Sequence, residues 1–394
     1  MGNSFFFMSV KRLIFLNLAL IALLLSACNR EIRNIEIQID EPAPVIDIHR
    51  IRAAEIVSSM SDSLLTAQLM ISGIDGNSSL SPGNREMFSE IPAGGIILFR
   101  YNLNTDNDSI RSLISEAAQF IADETGVPPF ITVDHEGGVV NRFRSGIATL
   151  PAASSYWELS SKIGILNTLA QIETDSFNAG CEIAGLGINL NFAPVAEYLI
   201  DENRVFLEKR SYGADPYFTM LGASAFIKGM ERSGVLCVAK HFPGSAGKDP
   251  HFSASVLDFD RESVDRLVMP FASLIKDGAR GVMAAHTKIP LIDDEIASLS
   301  SAVMNDWLRG ELGFNGIIVS DDFTMAAAGS IKVEEAAVRS VVAGSDMILV
   351  WPSHLKDTHA EFIKALEDGS LTRDRLAESA QRIIYEKLKM GLLE

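Results

Sequence analysis

The chain has 394 residues, 47% of them hydrophobic and 22% charged, with a formal net charge of −17. That length and balance suit one large globular domain or two modest ones. The excess of acid argues against a nucleic-acid partner and against a polybasic membrane patch.

At the N-terminus, Lys11-Arg12 precede an apolar run over 13–25. The run is too short for a transmembrane helix and has the length of a signal-peptide core. It ends Leu25-Ser26-Ala27-Cys28, an ending that resembles the lipobox of bacterial lipoproteins. That resemblance implies removal of 1–27, lipidation of Cys28 and an extracytoplasmic, membrane-anchored protein. Met1-Gly2 is no myristoylation site, because Phe6 stands where Ser or Thr is needed. Residues 28–52 are charged, carry Pro42 and Pro44 and lack an apolar face, so they read as a tether. The domain is expected over 53–394. Cys181 and Cys237 sit in apolar stretches and read as buried thiols rather than a disulfide framework.

Eight apolar runs read as strands: 67–74, 95–99, 130–133, 188–192, 235–239, 281–285, 316–320 and 346–351. Amphipathic stretches such as 109–124, 159–184, 217–232, 261–277 and 333–343 lie between them. Strands alternating with helices imply a parallel sheet, and eight such units imply a closed (β/α)8 TIM-type barrel in a single α/β domain. An open doubly wound sheet would place a Gly-rich phosphate turn early, and no G-x-G-x-x-G follows the first strand.

The carboxyl ends of these strands carry the chemistry. They read Phe99-Arg100-Tyr101-Asn102, Val133-Asp134-His135-Glu136-Gly137-Gly138, Phe192-Ala193-Pro194, Lys240-His241, Ala285-His286-Thr287 and Ser320-Asp321-Asp322. Polar and ionisable groups at that end of a barrel are where such enzymes keep their sites. After Lys240-His241 comes a Pro/Gly-rich loop and then Asp249-Pro250-His251. Side chains two apart on an extended backbone share a face, and proline favours that backbone before it. Asp249 would then orient the His251 ring as a carboxylate orients a catalytic base; a solvated loop with an incidental His is the alternative.

These segments resemble family 3 of the glycoside hydrolases, in its single-barrel β-N-acetylglucosaminidase (β-hexosaminidase) branch. The likeness runs from about Ala53 to the end. It rests on Gly94-Gly95-Ile96-Ile97-Leu98-Phe99, on Val133 to Arg142, and on Asn191-Phe192-Ala193-Pro194-Val195. It continues through Lys209-Arg210-Ser211-Tyr212-Gly213, Lys240-His241-Phe242-Pro243-Gly244, Ala297-Ser298-Leu299-Ser300 and Leu312 to Met325. The resemblance implies a nucleophile at Asp321, with Asp322 supporting the turn or the substrate. It implies sugar binding by Asp134, Arg142, Arg210, Lys240 and His241, and an acid/base dyad of His251 and Asp249. No metal or other cofactor is implied, nor an oligomer, and the histidines lack a ligand spacing such as H-E-x-x-H.

Five positions depart from the branch, and the loop to Asp249 is about two residues shorter than usual. Ser245-Ala246 replace a usual His-Gly, Pro250 replaces Ser, Glu197 stands where Asp is commoner, and His135 where Gln is usual. They leave the reaction type intact and bear on the aglycone preference. The implied reaction is two-step retaining hydrolysis of terminal GlcNAc from β-linked glycans, peptidoglycan fragments among them. Three rival readings are a phosphorylase using the same residues, a β-glucosidase and a catalytically inactive sugar-binding lipoprotein. The last would be expected to have lost Asp321 or His251, and both are present.

Overall fold

The computed structural model describes residues 47–394, apart from Ser145, Lys248, Pro250, His251, Ala326, Ala327 and Glu394. The expected leader and Cys28 lie outside the described residues, as does most of the expected tether. Eight short strands build the core: β1 (Met70–Gly73), β2 (Gly95–Leu98), β3 (Phe130–Val133), β4 (Leu190–Asn191), β5 (Leu236–Phe242), β6 (Gly281–Ala284), β7 (Ile317–Ser320) and β8 (Ile348–Val350). They pair in parallel in the order β7-β6-β5-β4-β3-β2-β1-β8. The ring closes between β7 and β8, where Val319 bridges Met347. There Ile318 O accepts from Asp346 N and Met347 N, and Met347 O accepts from Ser320 N. The result is the expected TIM-type barrel.

Each expected strand is present because its run is apolar and buried on both faces, the demand of a parallel sheet covered by helices. β1 starts at Met70 rather than 67, since Ala67 and Gln68 finish the helix Asp62–Gln68, capped by Ser61. The stretch 159–184 is two helices, Ala153–Ile163 and Ile165–Ala184. They break at Gly164, whose φ of +82° an α-helix cannot hold. A helix, Ile48–Ser58, begins within the last residues of the expected tether. Ala53 and Val57 are buried, and the Arg50 guanidinium lies 4.7 Å from the Tyr385 ring centroid. Cys237 is buried as expected, but Cys181 is exposed.

The helix Arg373–Lys389 closes the floor of the barrel. Its side chains meet residues that immediately precede four strands. Arg375 donates to Ser345 O and Arg382 to Asp346 Oδ1, below β8. Glu386 accepts from Arg280 below β6, and Lys387 donates to Gly94 O below β2 and Gln68 Oε1 below β1. The opposite pole, where the strand carboxyl ends converge, is left to the loops. A small three-stranded sheet ties two of those loops together. Ser255–Val256 pairs with Thr287–Ile289, which pairs with Asp293–Ile296. Nothing in the sequence periodicity announced these short strands.

Candidate active site

A cavity of about 170 Å³ lies at the carboxyl ends of the strands, and Asp134, Arg142, Arg210, Lys240, His241 and Asp321 all line it. β3 delivers the first of them. Directly after Val133, the carboxylate of Asp134 accepts from Lys240 Nζ at 2.7 Å and from Arg142 Nη2 at 3.3 Å. Two residues on, Glu136 accepts from Arg210 through two parallel bonds, Nε and Nη2, both 2.8 Å. Lys240 Nζ is also 2.7 Å from Glu136 Oε1. The turn that follows depends on glycine. Gly137 has φ +94°, and a Cβ there would stand 2.3 Å from Pro151 O.

β5 delivers Lys240 and His241 together because it is irregular at that point. Between Ala239 and Phe242 it carries an extra residue against Val282 to Ala284 of β6. In a regular strand the two side chains would face opposite sides. The bulge re-aims them, and both reach the cavity.

Arg142, Asp134, Lys240, Glu136 and Arg210 thus form one continuous wall of alternating charge. Burial pushes the Asp134 carboxyl up, but Lys240 and then Arg142 outweigh it and hold it below the usual carboxylate range. Glu136 is likewise held well down by Arg210 and Lys240 against its burial. Burial pulls the Lys240 ammonium down, and Asp134 and Glu136 more than restore it. The wall therefore keeps its charges while mostly out of water, and its donors and acceptors are in place before any ligand arrives. Arg210 is further held by Phe206, whose ring centroid lies 4.7 Å from its guanidinium carbon.

β7 ends at Ser320, and Asp321 follows it into the cavity with its N–H on Ala284 O at 3.1 Å. Its Oδ1 accepts from Asp322 N at 2.8 Å. Asp322 does supporting work. Oδ1 accepts from Thr324 N and Oγ1, each at 2.8 Å, and Oδ2 accepts from Trp351 Nε1 at 2.7 Å. His286 stands beside the pair with both ring nitrogens committed, Nδ1 to Ser298 Oγ at 2.7 Å and Nε2 to Asp322 O at 3.0 Å. Burial lowers its pKa, against the pull of Asp321.

The acid/base pair is placed only in part. His251 lies outside the described residues. Asp249 is half-buried, does not line the cavity, and its backbone carbonyl accepts from Phe252 N and Ser253 N, each at 3.0 Å. His135 is not a site residue. Its Nε2 donates to Ala148 O at 2.6 Å, its backbone N–H reaches Asn191 Oδ1, and burial drives its pKa to about 4. The neutral ring pins the loop after β3 from behind.

Residues 64–385 match the family model described as the glycosyl hydrolase family 3 N terminal domain. The chain belongs to that family. A β-hexosaminidase from Methylococcus capsulatus is 34% identical over 297 residues, covering 73% of this chain and 84% of that protein. The family 3 β-N-acetylglucosaminidase of Paenibacillus sp. superposes with a TM-score of 0.78 at 30% identity, over 85% of this chain and 63% of that one. NagZ of Neisseria gonorrhoeae, solved with N-trifluoroacetyl-D-glucosamine, gives 0.67 at 28% identity, over 80% of this chain and 89% of that one. The enzyme is a glycoside hydrolase acting on O-glycosyl bonds.

Two residues that organise the site were not singled out for a role in the sequence. Glu136 had a usable signal: it stands two residues from Asp134 on an extended segment and so shares its face. Glu197 stood out only as a departure from the branch's commoner Asp, and its role was hidden because its partners come from β5 and the turn beyond it.

Proposed function

We propose that the enzyme is a retaining exo-β-N-acetylglucosaminidase that removes terminal GlcNAc from β-linked glycans, with peptidoglycan fragments as its natural substrates. The observation that carries this is the cavity itself. The Asp321 carboxylate shares a small enclosed space with a wall of alternating carboxylates and cations. Such a wall suits a polyhydroxylated ring, since carboxylates accept from sugar hydroxyls while ammonium and guanidinium groups donate to them. The β-hexosaminidase relatives support the 2-acetamido sugar.

In this mechanism a carboxylate oxygen of Asp321 attacks the anomeric carbon as the glycosidic C–O bond breaks. His251 gives its proton to the departing oxygen. The neutral imidazole, oriented by Asp249, then takes a proton from water, whose oxygen displaces Asp321 and frees the sugar. Histidine's unperturbed pKa near 6.5 suits both halves of that exchange, and an imidazole avoids setting a second carboxylate against the nucleophile. Burial and hydrogen bonding leave His286 poorly placed for this duty.

Paired assays test the reading. Aryl β-GlcNAc and a GlcNAc–anhydroMurNAc fragment should be hydrolysed, aryl β-glucose far more slowly, and added phosphate should yield no sugar phosphate. Equal rates on glucose, or GlcNAc 1-phosphate as the main product, would overturn it. We propose further that Cys28 is lipidated and anchors the enzyme outside the cytoplasm. Cys28→Ser should abolish fatty-acid labelling, and unchanged labelling would refute the anchor.

A further inference from the structure

Glu197 follows β4 and does not line the cavity. Its side chain is wholly buried, yet its carboxylate gathers donors from two segments that do line it. Oε1 accepts from His241 N at 3.1 Å, His241 Nδ1 at 2.6 Å and Ser245 Oγ at 3.2 Å. Oε2 accepts from Ser245 N at 2.5 Å. The backbone carbonyl of Glu197 accepts from Ser211 Oγ at 2.7 Å, and Ser211 directly follows Arg210. One residue thus holds His241, the turn after it and the segment carrying Arg210.

We propose that Glu197 is a positioning residue that sets the hydrogen-bonding polarity of the sugar site, by fixing His241 in its Nδ1–H tautomer with an Nε2 lone pair presented to Arg210 and the cavity. Two independent constraints agree on this tautomer. A carboxylate only accepts, so the nitrogen 2.6 Å from Glu197 carries the hydrogen. A guanidinium only donates, so Nε2, 3.4 Å from Arg210 Nη2, does not. His241 then accepts from a substrate hydroxyl where its neighbours Lys240 and Arg210 donate. The inference deepens the sugar-binding reading above and rests on it for its kinetic consequence, though not for the tautomer itself.

Glu197→Gln separates positioning from packing, because the amide has the same shape and only one accepting oxygen. With that oxygen toward Nδ1–H, the amide nitrogen confronts Ser245 N–H, donor against donor. Flipped, it confronts Nδ1 and forces hydrogen onto Nε2, against Arg210. Either way the ring's setting is lost.

The test uses the full chain labelled with 15N-histidine, with His241→Asn assigning the resonances. Wild type should show a pyrrole-type Nδ1 and a pyridine-type Nε2 at His241. Glu197→Gln should shift or invert that pattern and lower kcat/KM about 10- to 100-fold, the scale of one mis-set buried hydrogen bond. The loss should be equal on good and poor leaving groups. A wild-type ring with hydrogen on Nε2 would overturn the proposal even if the variant fails to fold. So would a folded Glu197→Gln whose His241 signals are unchanged. Both readouts need no substrate, so they stand apart from any failure of the GlcNAc assignment.

Discussion

Lys387 puts the barrel floor to a test that needs no glycan. Its side chain is wholly buried, and Nζ donates to Gln68 Oε1 and Gly94 O, each at 3.0 Å. Both acceptors are neutral, and burial lowers its pKa from 10.5 to about 7. A lysine depressed in the fold but ordinary in the unfolded chain costs stability while the unfolded chain stays protonated. The cost is full below about pH 7 and fades as the pH rises toward 10.5. Between those limits the folded chain holds one proton fewer, so stability climbs by about 1.4 kcal/mol per pH unit. The whole window amounts to something on the order of 5 kcal/mol.

Lys387→Met keeps most of the stem and removes the titration. Gly94 O retains a second donor, Phe130 N at 2.9 Å. Gln68 Oε1 loses its partner, at a cost of about 1–3 kcal/mol. The Met variant should therefore be more stable than wild type at pH 7 by about 1–4 kcal/mol. That advantage should shrink by about 1.4 kcal/mol per pH unit and vanish between about pH 8 and pH 10. Urea unfolding of both proteins at pH 7, 8, 9 and 10 measures the difference. A difference that stays constant over that range would refute the buried neutral lysine.

Glu136→Gln leaves Lys240 and Arg210 buried around an uncharged amide, so it should cost about 3–5 kcal/mol in denaturant unfolding. It should also raise KM for aryl GlcNAc; an unchanged unfolding midpoint would mean the wall does not act as a unit. His251→Ala should cripple cleavage of a natural disaccharide and impair a nitrophenyl glycoside far less, with a burst as glycosyl-enzyme accumulates. Azide should rescue the second step, since a small anion needs no base. Equal loss on both leaving groups without a burst would remove His251 from the acid role.

The barrel was legible because its strands are buried on both faces, which leaves runs such as 235–239 with no polar interruption. Elements stabilised mainly by tertiary contacts were not. The helix Ile48–Ser58 has no strong apolar stripe and leans instead on Tyr385, more than three hundred residues away in sequence. The three-stranded sheet at the mouth uses strands of two to four residues, too short for any period to register. In the site, charged groups directly after strands could be placed on the mouth by topology alone. What could not be read was which charge meets which. The bulge that turns Lys240 and His241 to one side depends on pairing with β6, and Glu197 lies where only the folded chain brings β4 and β5 ends together. His286 stands at a strand end like the others, yet Ser298 and the Asp322 carbonyl occupy both its nitrogens.

The most direct test of the functional account is to trap the intermediate. Intact enzyme treated with a 5-fluoro β-GlcNAc glycoside and digested should yield one peptide heavier by the sugar, the one containing Asp321. Asp321→Asn should take no label and turn over no substrate while still binding GlcNAc. A label on another carboxylate, together with an active Asp321→Asn enzyme, would contradict the account.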